Sequence, residues 1–484
     1  MTDVGNGVQD LTQNKTILEE TFYVLTKKNS VFRVKLTKLG LHLIKEQENQ
    51  VKTQVVRVKD IIGCCCLRSK KRRYSCACQS LTHSSFKVVD EKSEDHDDAD
   101  ISAYLYVYSY ILQPNRNKRE RTTVTLRFRS FDTYEENYKE AQRWRTAIKK
   151  LIRGEEVSTL NIFDYKVAHI KEDRRLLILV NPKSGSGKGR TLFQQKIVPL
   201  LQEAEIPFDI HITKYANYAR EFLRTCQLFQ WSSVIVVGGD GLLFETINGV
   251  FERWDWSEAI KHISFGIIPS GTGNGLARSI AHSSGEPYNP PTFPSTLAAV
   301  QNHSTMMDLV RVETTSQIMF SFLSISWGIL SDIDIESEIL RVFGEPRFTL
   351  WSLARVIGLR SYSGKVYYLP ADASSTPTEG TPPIFNISTN FELPSEVHLE
   401  TTNGGRQRLD SWYSAASRRS TYFSTTGSSY QSTTESDAEM FAVKAFRIEP
   451  DECEHGYLTV DGEIVQHGPI QAEVFPSLVK VMVP

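Results

Sequence analysis

The segment VIVVGGDGLLFETINGV, residues 234–250, runs four apolar residues into two glycines, an aspartate and a third glycine. A buried parallel strand accounts for Val234 to Val237. It does not account for Asp240, a carboxylate flanked by Gly238, Gly239 and Gly241, where only glycine lets the backbone come close to a ligand. An acid at such a strand end can take a proton from an attacking hydroxyl or help to hold Mg2+. It can equally be an N-cap for the next helix, along which Glu245 and Asn248 follow.

A second glycine cluster is LLILVNPKSGSGKGR, residues 176–190. Gly185, Gly187 and Gly189 permit a tight strand-to-helix turn whose N–H groups, with the positive end of the helix, make a phosphate seat. The P-loop pattern fails, because Gly187-Lys188 is followed by Gly189 and position 182 is proline. The dinucleotide fingerprint fails on glycine spacing. Taken alone, structural turn and phosphate site stay equally open here. The third cluster, IIPSGTGNGLARSI, places Gly271, Gly273 and Gly275 after another apolar run, with Ser270, Thr272 and Asn274 as short donors. Three such turns, one bearing an acid, point to a nucleoside triphosphate site with Asp240 facing the reacting oxygen.

The elements around these turns define the fold class. From residue 174, short continuous apolar runs (RRLLILVNP, PFDIHITKY, SSVIVVGG, ISFGIIPSG) alternate with helical patterns. That alternation predicts a doubly wound parallel sheet over residues 171–303, covered on both faces, with ligands beyond the carboxyl ends of the strands. From about residue 304 the segments MMDLVRVE, QIMFSFLSISWGIL, GKVYYLP, IFNISTNF and YLTVDGEIV read as antiparallel strands. They predict a β-rich sandwich domain over 304–484, with disordered Ser/Thr-rich insertions near 371–383 and 402–438.

The N-terminal third reads differently. TFYVLTKKNSVFRVKLTKLGLHLI and TTVTLRFRSF alternate apolar and polar residues, and TYEENYKEAQRWRTAIKKLIRG switches to helical spacing. Tyr134, Tyr138, Ala141, Trp144, Ile148 and Leu151 share one helix face, and Gly154 follows as a stop. Strands closed by one amphipathic helix with a central tryptophan resemble a pleckstrin-homology domain, over residues 18–154. Inside it lies GCCCLRSKKRRYSCACQS, followed by the acidic stretch DEKSEDHDDAD. This reads as a solvated loop, or as membrane attachment, with Lys70 to Arg73 drawn to anionic lipid and Cys64 to Cys66 open to acylation. Zinc binding at Cys76 and Cys78 lacks the usual spacing.

Length and composition set outer limits. The 484 residues suffice for two to four domains, and 40% hydrophobic with 23% charged residues is ordinary for a globular protein. A formal net charge of −1 argues against a generally basic nucleic-acid binder. Seven cysteines, an odd number and mostly clustered, do not make a disulfide framework. With neither a signal-peptide pattern at the N-terminus nor a spanning apolar run, a cytoplasmic protein recruited to membranes is the expectation.

Four motifs in order, LVNPKSGSGKG, VVGGDGLLFETINGV, IIPSGTGNGLA and the terminal VDGE, resemble the diacylglycerol-kinase-type catalytic domain of lipid kinases over roughly residues 171–484. Within that family, SWGILSDIDIESEILRVFGEPRFTL is similar to the sphingosine kinases in particular. The resemblance implies ATP and Mg2+ as cofactors. It implies transfer of phosphate to the primary hydroxyl of sphingosine or a related sphingoid base, with Asp240 as the base and sphingosine 1-phosphate and ADP as products. It assigns the nucleotide to Asn181, Lys183, Gly185, Gly187, Lys188, Thr213, Gly238, Gly239, Gly241, Glu245, Ser270, Gly271, Gly273, Asp461, Gly462 and Glu463, with Arg341 and Arg347 on its phosphates. Asp334 would meet the amino head of the lipid, with Ser324, Phe348 and Leu350 beside it; the metal ligands stay unassigned. Independently, a cationic head on an apolar tail needs an anion at the mouth of an apolar pocket, and Asp332, Asp334, Glu336 and Glu338 form a dense acidic patch beside apolar residues. FTLWSLARVIGL reads as a core helix or as a flap that dips into a membrane. Ceramide kinase, diacylglycerol kinase and an inactive membrane-recruited scaffold are the competing readings.

Overall fold

The computed structural model describes residues 15–24, 30–47, 50–70, 88–90, 93–113, 118–157, 174–185, 187–271, 274–343, 346–357, 360, 362–370, 413–415, 443–451 and 456–484. Residues 1–14 and IFNISTNF therefore lie outside the description, as do most of the two Ser/Thr-rich stretches and the segment carrying Cys76 and Cys78.

The alternating N-terminal sequence forms one antiparallel sheet of β1 (Thr16–Val24), β2 (Ser30–Thr37), β3 (Gly40–Gln47), β4 (Gln50–Arg57), β5 (Ile61–Ser69), β6 (Val88–Asp90), β7 (Ala103–Gln113) and β8 (Lys118–Phe128). Their order is β4-β3-β2-β1-β8-β7-β5-β6. Helix α1 (Tyr134–Ile152) follows, its start capped by Thr133, whose hydroxyl oxygen accepts the Glu136 N–H at 3.3 Å. Gly154, at φ 72°, ends it in the left-handed region. Ala141, Trp144, Ala147 and Ile148 are buried against the sheet. Trp144 meets Phe22 edge-on at 5.2 Å, and burying a side chain of that size is worth about 3 kcal/mol.

One expectation is corrected here. Residues 63–69 are strand, not loop, and Cys64 is fully buried, with its thiol 3.7 Å from the Arg145 carbonyl. Burial pushes that thiol up to about 12, which leaves no thiolate to acylate. Lys70 sits 3.5 Å from Asp95.

The second sheet starts with four parallel strands: β9 (Leu176–Val180), β10 (Phe208–Ile212), β11 (Ser233–Gly238) and β12 (Ser264–Pro269). Every residue of β9, β11 and β12 is buried, as continuous apolar strands require. The helices between them include α2 (Tyr218–Thr225), α3 (Asp240–Phe251), α4 (Gly275–Ser283) and α5 (Thr292–Gln301). The helical run after β9 comes in three pieces, Gly189–Leu192, a π-helical turn Phe193–Ile197 and Val198–Glu203.

The C-terminal region adds β13 (His303–Glu313), β14 (Ile318–Ser321), β15 (Ile325–Trp327), helices α6 (Ile329–Glu336) and α7 (Pro346–Ile357), and strands β16 (Gly364–Pro370), β17 (Tyr413–Ala415), β18 (Val443–Pro450), β19 (Leu458–Val460), β20 (Glu463–Val465) and β21 (Ile470–Val483). Six of these strands, β13, β14, β16, β17, β18 and β21, are hydrogen-bonded into the same sheet as the parallel strands. The long β21 runs parallel to β12, pairing Phe265 with Val481, and antiparallel to β13 and β18, so one sheet of ten strands continues through both regions. Strand β17 pairs with β16, so Tyr413–Ala415, inside a stretch expected to be disordered, has a partner. β15, β19 and β20 form a small separate sheet. No helix among the described residues is long and apolar enough to cross a membrane.

Candidate active site

Strands β9, β11 and β12 end side by side, so the three glycine turns meet at one edge of the sheet. The glycines serve two different needs there. A Cβ on Gly185 would fall 2.2 Å from the Ser270 carbonyl, one on Gly189 2.3 Å from that of Asn181, and one on Gly271 2.8 Å from the Gly239 Cα. Gly185 and Gly271 let the loops pack against each other, and Gly189 lets its own turn close. Among the described residues a Cβ on Gly187, at φ 76°, would meet nothing within 4 Å, and one on Gly239 only an ordinary contact at 3.6 Å.

Asp240 opens α3, but its carboxylate caps another helix. Its oxygens accept the N–H groups of Gly275 (2.7 Å) and Leu276 (3.3 Å), the first residues of α4. The positive end of α4 thus fixes the acid's orientation at the sheet edge. Beside it, Asn274 adopts the left-handed conformation at φ 54° and holds Gly271 through both its amide atoms, at 3.2 and 2.6 Å. Ser270 Oγ is buried with no hydrogen-bond partner among the described residues, an orphan that suits a phosphate oxygen. Lys183 and Lys188 are exposed. Asn181 Oδ1 accepts the Lys183 N–H at 2.9 Å and shapes the first turn. The Thr213 hydroxyl turns back onto the Val180 carbonyl at 3.4 Å.

A second group closes over Gly241. A Cβ there would lie 3.0 Å from Glu463 Oε1, and one on Gly462, at φ 82°, 3.6 Å from Asp334 Oδ2. The β19–β20 turn therefore brings Glu463 and Asp334 toward the Asp240 loop. Asp461 has a different task. Its buried carboxylate accepts the Ser321 hydroxyl at 2.6 Å and the N–H groups of Phe322, Leu323 and Ser324, each at 3.0 Å. It latches the β14–β15 loop to the turn, and Leu323 on that loop packs 3.2 Å from where a Gly275 Cβ would stand. Ser324 is exposed on the same loop.

The arginines and acids of α6 and α7 are more entangled than the sequence indicates. Arg347 is buried, with Nη1 2.6 Å from Glu338 and Nη2 3.8 Å from Asp334. Glu338, one of the four acids of the patch seen in the sequence, is thus a member of the group. Asp332 is fully buried and satisfied by the Tyr362 hydroxyl (2.8 Å), Arg360 (3.2 Å) and the Tyr457 N–H (3.0 Å). Asp334 is half exposed, whereas Asp332 is fully buried. Burial raises its pKa, with Arg347 opposing and Glu338 adding. Burial also raises Glu463, with Glu338, Asp334 and Asp461 adding, and raises Glu245, whose carboxylate accepts the Ala219 N–H at 3.2 Å. A largely apolar cleft of about 590 Å3 lies along α6 and α7, lined by Ile335, Glu336, Ile339, Trp351, Ala354, Arg355 and Tyr457 but not by Asp334. Leu350 is exposed on α7. Gly273 and the side chains of Arg341 and Phe348 lie outside the described residues. A residue that sequence spacing missed is Tyr288, whose hydroxyl is buried and whose ring lies 5.2 Å under Arg278. Its place beside α4 follows from the chain's return after that helix and leaves no local signal.

Residues 175–312 match the diacylglycerol kinase catalytic domain, the span that carries the glycine turns and Asp240. The chain thus carries a catalytic domain of the diacylglycerol kinase type. Human sphingosine kinase 2 is 32% identical over 363 residues, covering 72% of this chain and 51% of that protein. Human sphingosine kinase 1 is 39% identical over 231 residues (46% of this chain, 58% of that one), and Arabidopsis thaliana sphingosine kinase 1 is 34% identical over 209 residues (43% and 42%). In its catalytic region the chain belongs to the sphingosine kinase family, and it spans only 42–58% of the length of these three relatives. A solved diacylglycerol kinase from Bacillus anthracis overlaps 64% of this chain and 97% of its own, with a TM-score of 0.39 and 19% identity.

Proposed function

We propose that the chain is an ATP-dependent kinase of sphingosine and related sphingoid bases. The observation that carries this reading is the approach of two acids with different surroundings. Asp240, clamped by the N-terminus of α4, lies among the glycine turns, and half-exposed Asp334 lies over Gly462 on α6, a helix that also lines a largely apolar cleft through Ile335 and Glu336. The first place suits the reacting end of a nucleotide, and the second suits a cationic head group.

The orphan Ser270 hydroxyl, the open faces of Gly187 and Gly239, and Lys183 and Lys188 bind the phosphates, while Asn181 and Thr213 shape the turns behind them. Asp240 orients the primary hydroxyl of the lipid and accepts its proton as the oxygen attacks the γ-phosphoryl group. Asp334 holds the ammonium group, so an N-acylated lipid, which has no charge to offer, is disfavoured. Arg347 sets the charge of Asp334 rather than gripping phosphate, and Asp461 positions the turn rather than touching nucleotide. Glu463, whose Oε1 lies over Gly241, is the acid that would help to hold Mg2+ at the nucleotide. Mg2+ would supply charge neutralisation on the transferring group.

Peripheral membrane binding fits the same picture. Leu350, Leu353 and Ile339, on α7 and the turn before it, are 53%, 65% and 80% exposed, and grouped apolar side chains of this kind mark an interaction surface. The N-terminal sheet with α1 is read as a pleckstrin-homology-like unit.

The deciding experiment incubates purified protein with labelled ATP and sphingosine, dihydrosphingosine, ceramide and diacylglycerol. Transfer to the two amines and little to the neutral lipids is expected. Preference for ceramide would overturn the role of Asp334, and transfer to none would overturn the kinase reading.

A further inference from the structure

We propose that the N-terminal sheet is a fixed part of the catalytic unit, with Arg119 as a positioning residue that holds helix α4 and, through it, the Asp240 carboxylate. The connection is physical at each step. Asp240 accepts the first two N–H groups of α4. At the other end of α4 the chain reverses through Gly285, at φ 66°. The Gly285 N–H donates to the His282 carbonyl at 3.2 Å and the Glu286 N–H to that of Ala281 at 2.9 Å. This left-handed closure ties Glu286 to the helix end. The Glu286 carboxylate then accepts two parallel bonds from Arg119 on β8, Nε to Oε2 at 2.7 Å and Nη2 to Oε1 at 2.6 Å. A fork of this kind fixes direction as well as distance. Arg119 is 7% exposed, and its Nη1 is anchored at home by Asp60 (2.8 Å) and the Tyr110 carbonyl (2.6 Å).

A nine-residue helix is a stiff rod of roughly 13 Å, so holding one end limits the other. The same loop comes back through Tyr288, two residues past Glu286. Its ring lies 5.2 Å from the Arg278 guanidinium, so the loop packs back on α4 itself.

The sheet has other holds on the catalytic region, so loss of Arg119 alone does not undock it. Ile62 and Tyr110 join the core around Leu176, Leu200 and Leu297, and the Tyr110 ring lies 5.8 Å from Phe293. Gln301 donates to the Lys59 carbonyl at 2.5 Å. Arg121 pairs with Glu203, and Arg145 and Lys149 pair with Glu205. The effect of Arg119 is therefore local to α4.

The kinetic arm of the test rests on the kinase reading; the exchange arm does not. In the full chain, Arg119→Ala and Glu286→Gln are compared with the unaltered protein by hydrogen–deuterium exchange and by initial rates with ATP and sphingosine. For Arg119→Ala we expect faster exchange across residues 275–286, a fall in kcat of about tenfold or more and a KM for ATP within about twofold. Glu286→Gln, which keeps one acceptor, shifts both in the same direction by less, and it decides the matter if Arg119→Ala does not fold. Unaltered exchange in α4 with unaltered kcat overturns the proposal, as does loosening of the N-terminal sheet while α4 stays protected. If the unaltered protein transfers no phosphate yet Arg119→Ala still loosens α4, the clamp stands and the kinase reading falls.

Discussion

Asp240 Oδ2 accepts the Gly275 N–H at 2.7 Å, a bond between residues 35 apart that joins the glycine turn after β11 to the one after β12. A carboxylate fixed by a helix N-terminus keeps its remaining lone pairs aimed in one direction, which a proton acceptor needs. Asp240→Asn retains an oxygen for the helix but has no proton affinity to offer. Turnover is expected to fall by about a thousandfold, while nucleotide affinity changes by less than about threefold. Stability should fall by less than about 1 kcal/mol, because asparagine still caps the helix and only the attraction of the charge to the helix end is lost. Phosphate transfer, nucleotide titration and a melting curve on one preparation check all three. Normal turnover would remove Asp240 from the mechanism.

Asp334 gives the lipid step a pH signature. Burial lifts it above the ordinary 3.8, and Glu338 adds to the rise. Only the ionised acid attracts an ammonium group, so kcat/KM for sphingosine should fall on acidification through a pKa above 3.8. Glu338→Gln removes one raising charge and frees Arg347 for Asp334, so the acid limb should move to lower pH. Folding favours the protonated form of Asp334, so its share of stability is present at low pH and is lost as pH rises from 3.8 through the raised value. Asp334→Asn should raise KM for sphingosine by about tenfold or more and leave KM for ATP nearly unchanged. Rate profiles at saturating ATP provide the check, and an acid limb that Glu338→Gln does not move belongs to another group.

What could be read from sequence was whatever a short local pattern encodes. The apolar runs of β9, β11 and β12 became fully buried parallel strands, and the spacing of Ala141, Trp144 and Ile148 became the buried face of α1. The glycine turns met at one edge because the parallel strands pair in a register that sets Val180, Val237 and Ile268 side by side at their ends. Pairings between distant residues were not legible. Nothing near residue 481 announces that β21 joins β12, and nothing in VDGE shows that Asp461 turns inward to the Ser321–Ser324 loop while Glu463 turns toward Gly241. The reason for Gly185 was hidden likewise, since it lies in the carbonyl of Ser270 on a neighbouring loop, and that for Gly189 lies in the Asn181 carbonyl, across its own turn.

Asp461 should act through structure. Its carboxylate satisfies one hydroxyl and three N–H groups, and Asp461→Ala leaves these donors without their acceptor. The expected loss is about 3 kcal/mol or more, since each stranded buried donor costs on the order of 1 kcal/mol or more. Urea unfolding measures it. If the Asp461→Ala protein unfolds at the midpoint of the unaltered one, the latch is not what holds the β14–β15 loop.

Cys64 supplies a test of the N-terminal sheet that requires no substrate. The GCCCLRSKKRRY run suggests an accessible cysteine cluster beside a basic one, but β5 turns Cys64 into the core under α1. Burial holds its thiol near 12 and that of Cys226 near 11, whereas alkylation requires the thiolate. A maleimide applied to the native protein at neutral pH should therefore leave Cys64 and Cys226 unmodified and react with both once urea unfolds the chain. Peptide mass spectrometry before and after unfolding distinguishes the sites. Cys64→Ser should cost about 1–2 kcal/mol, because a hydroxyl in that core loses more hydration than a thiol does. Rapid native labelling at Cys64 would mean that β5 does not pack beneath α1, and acylation of that residue would again be chemically open.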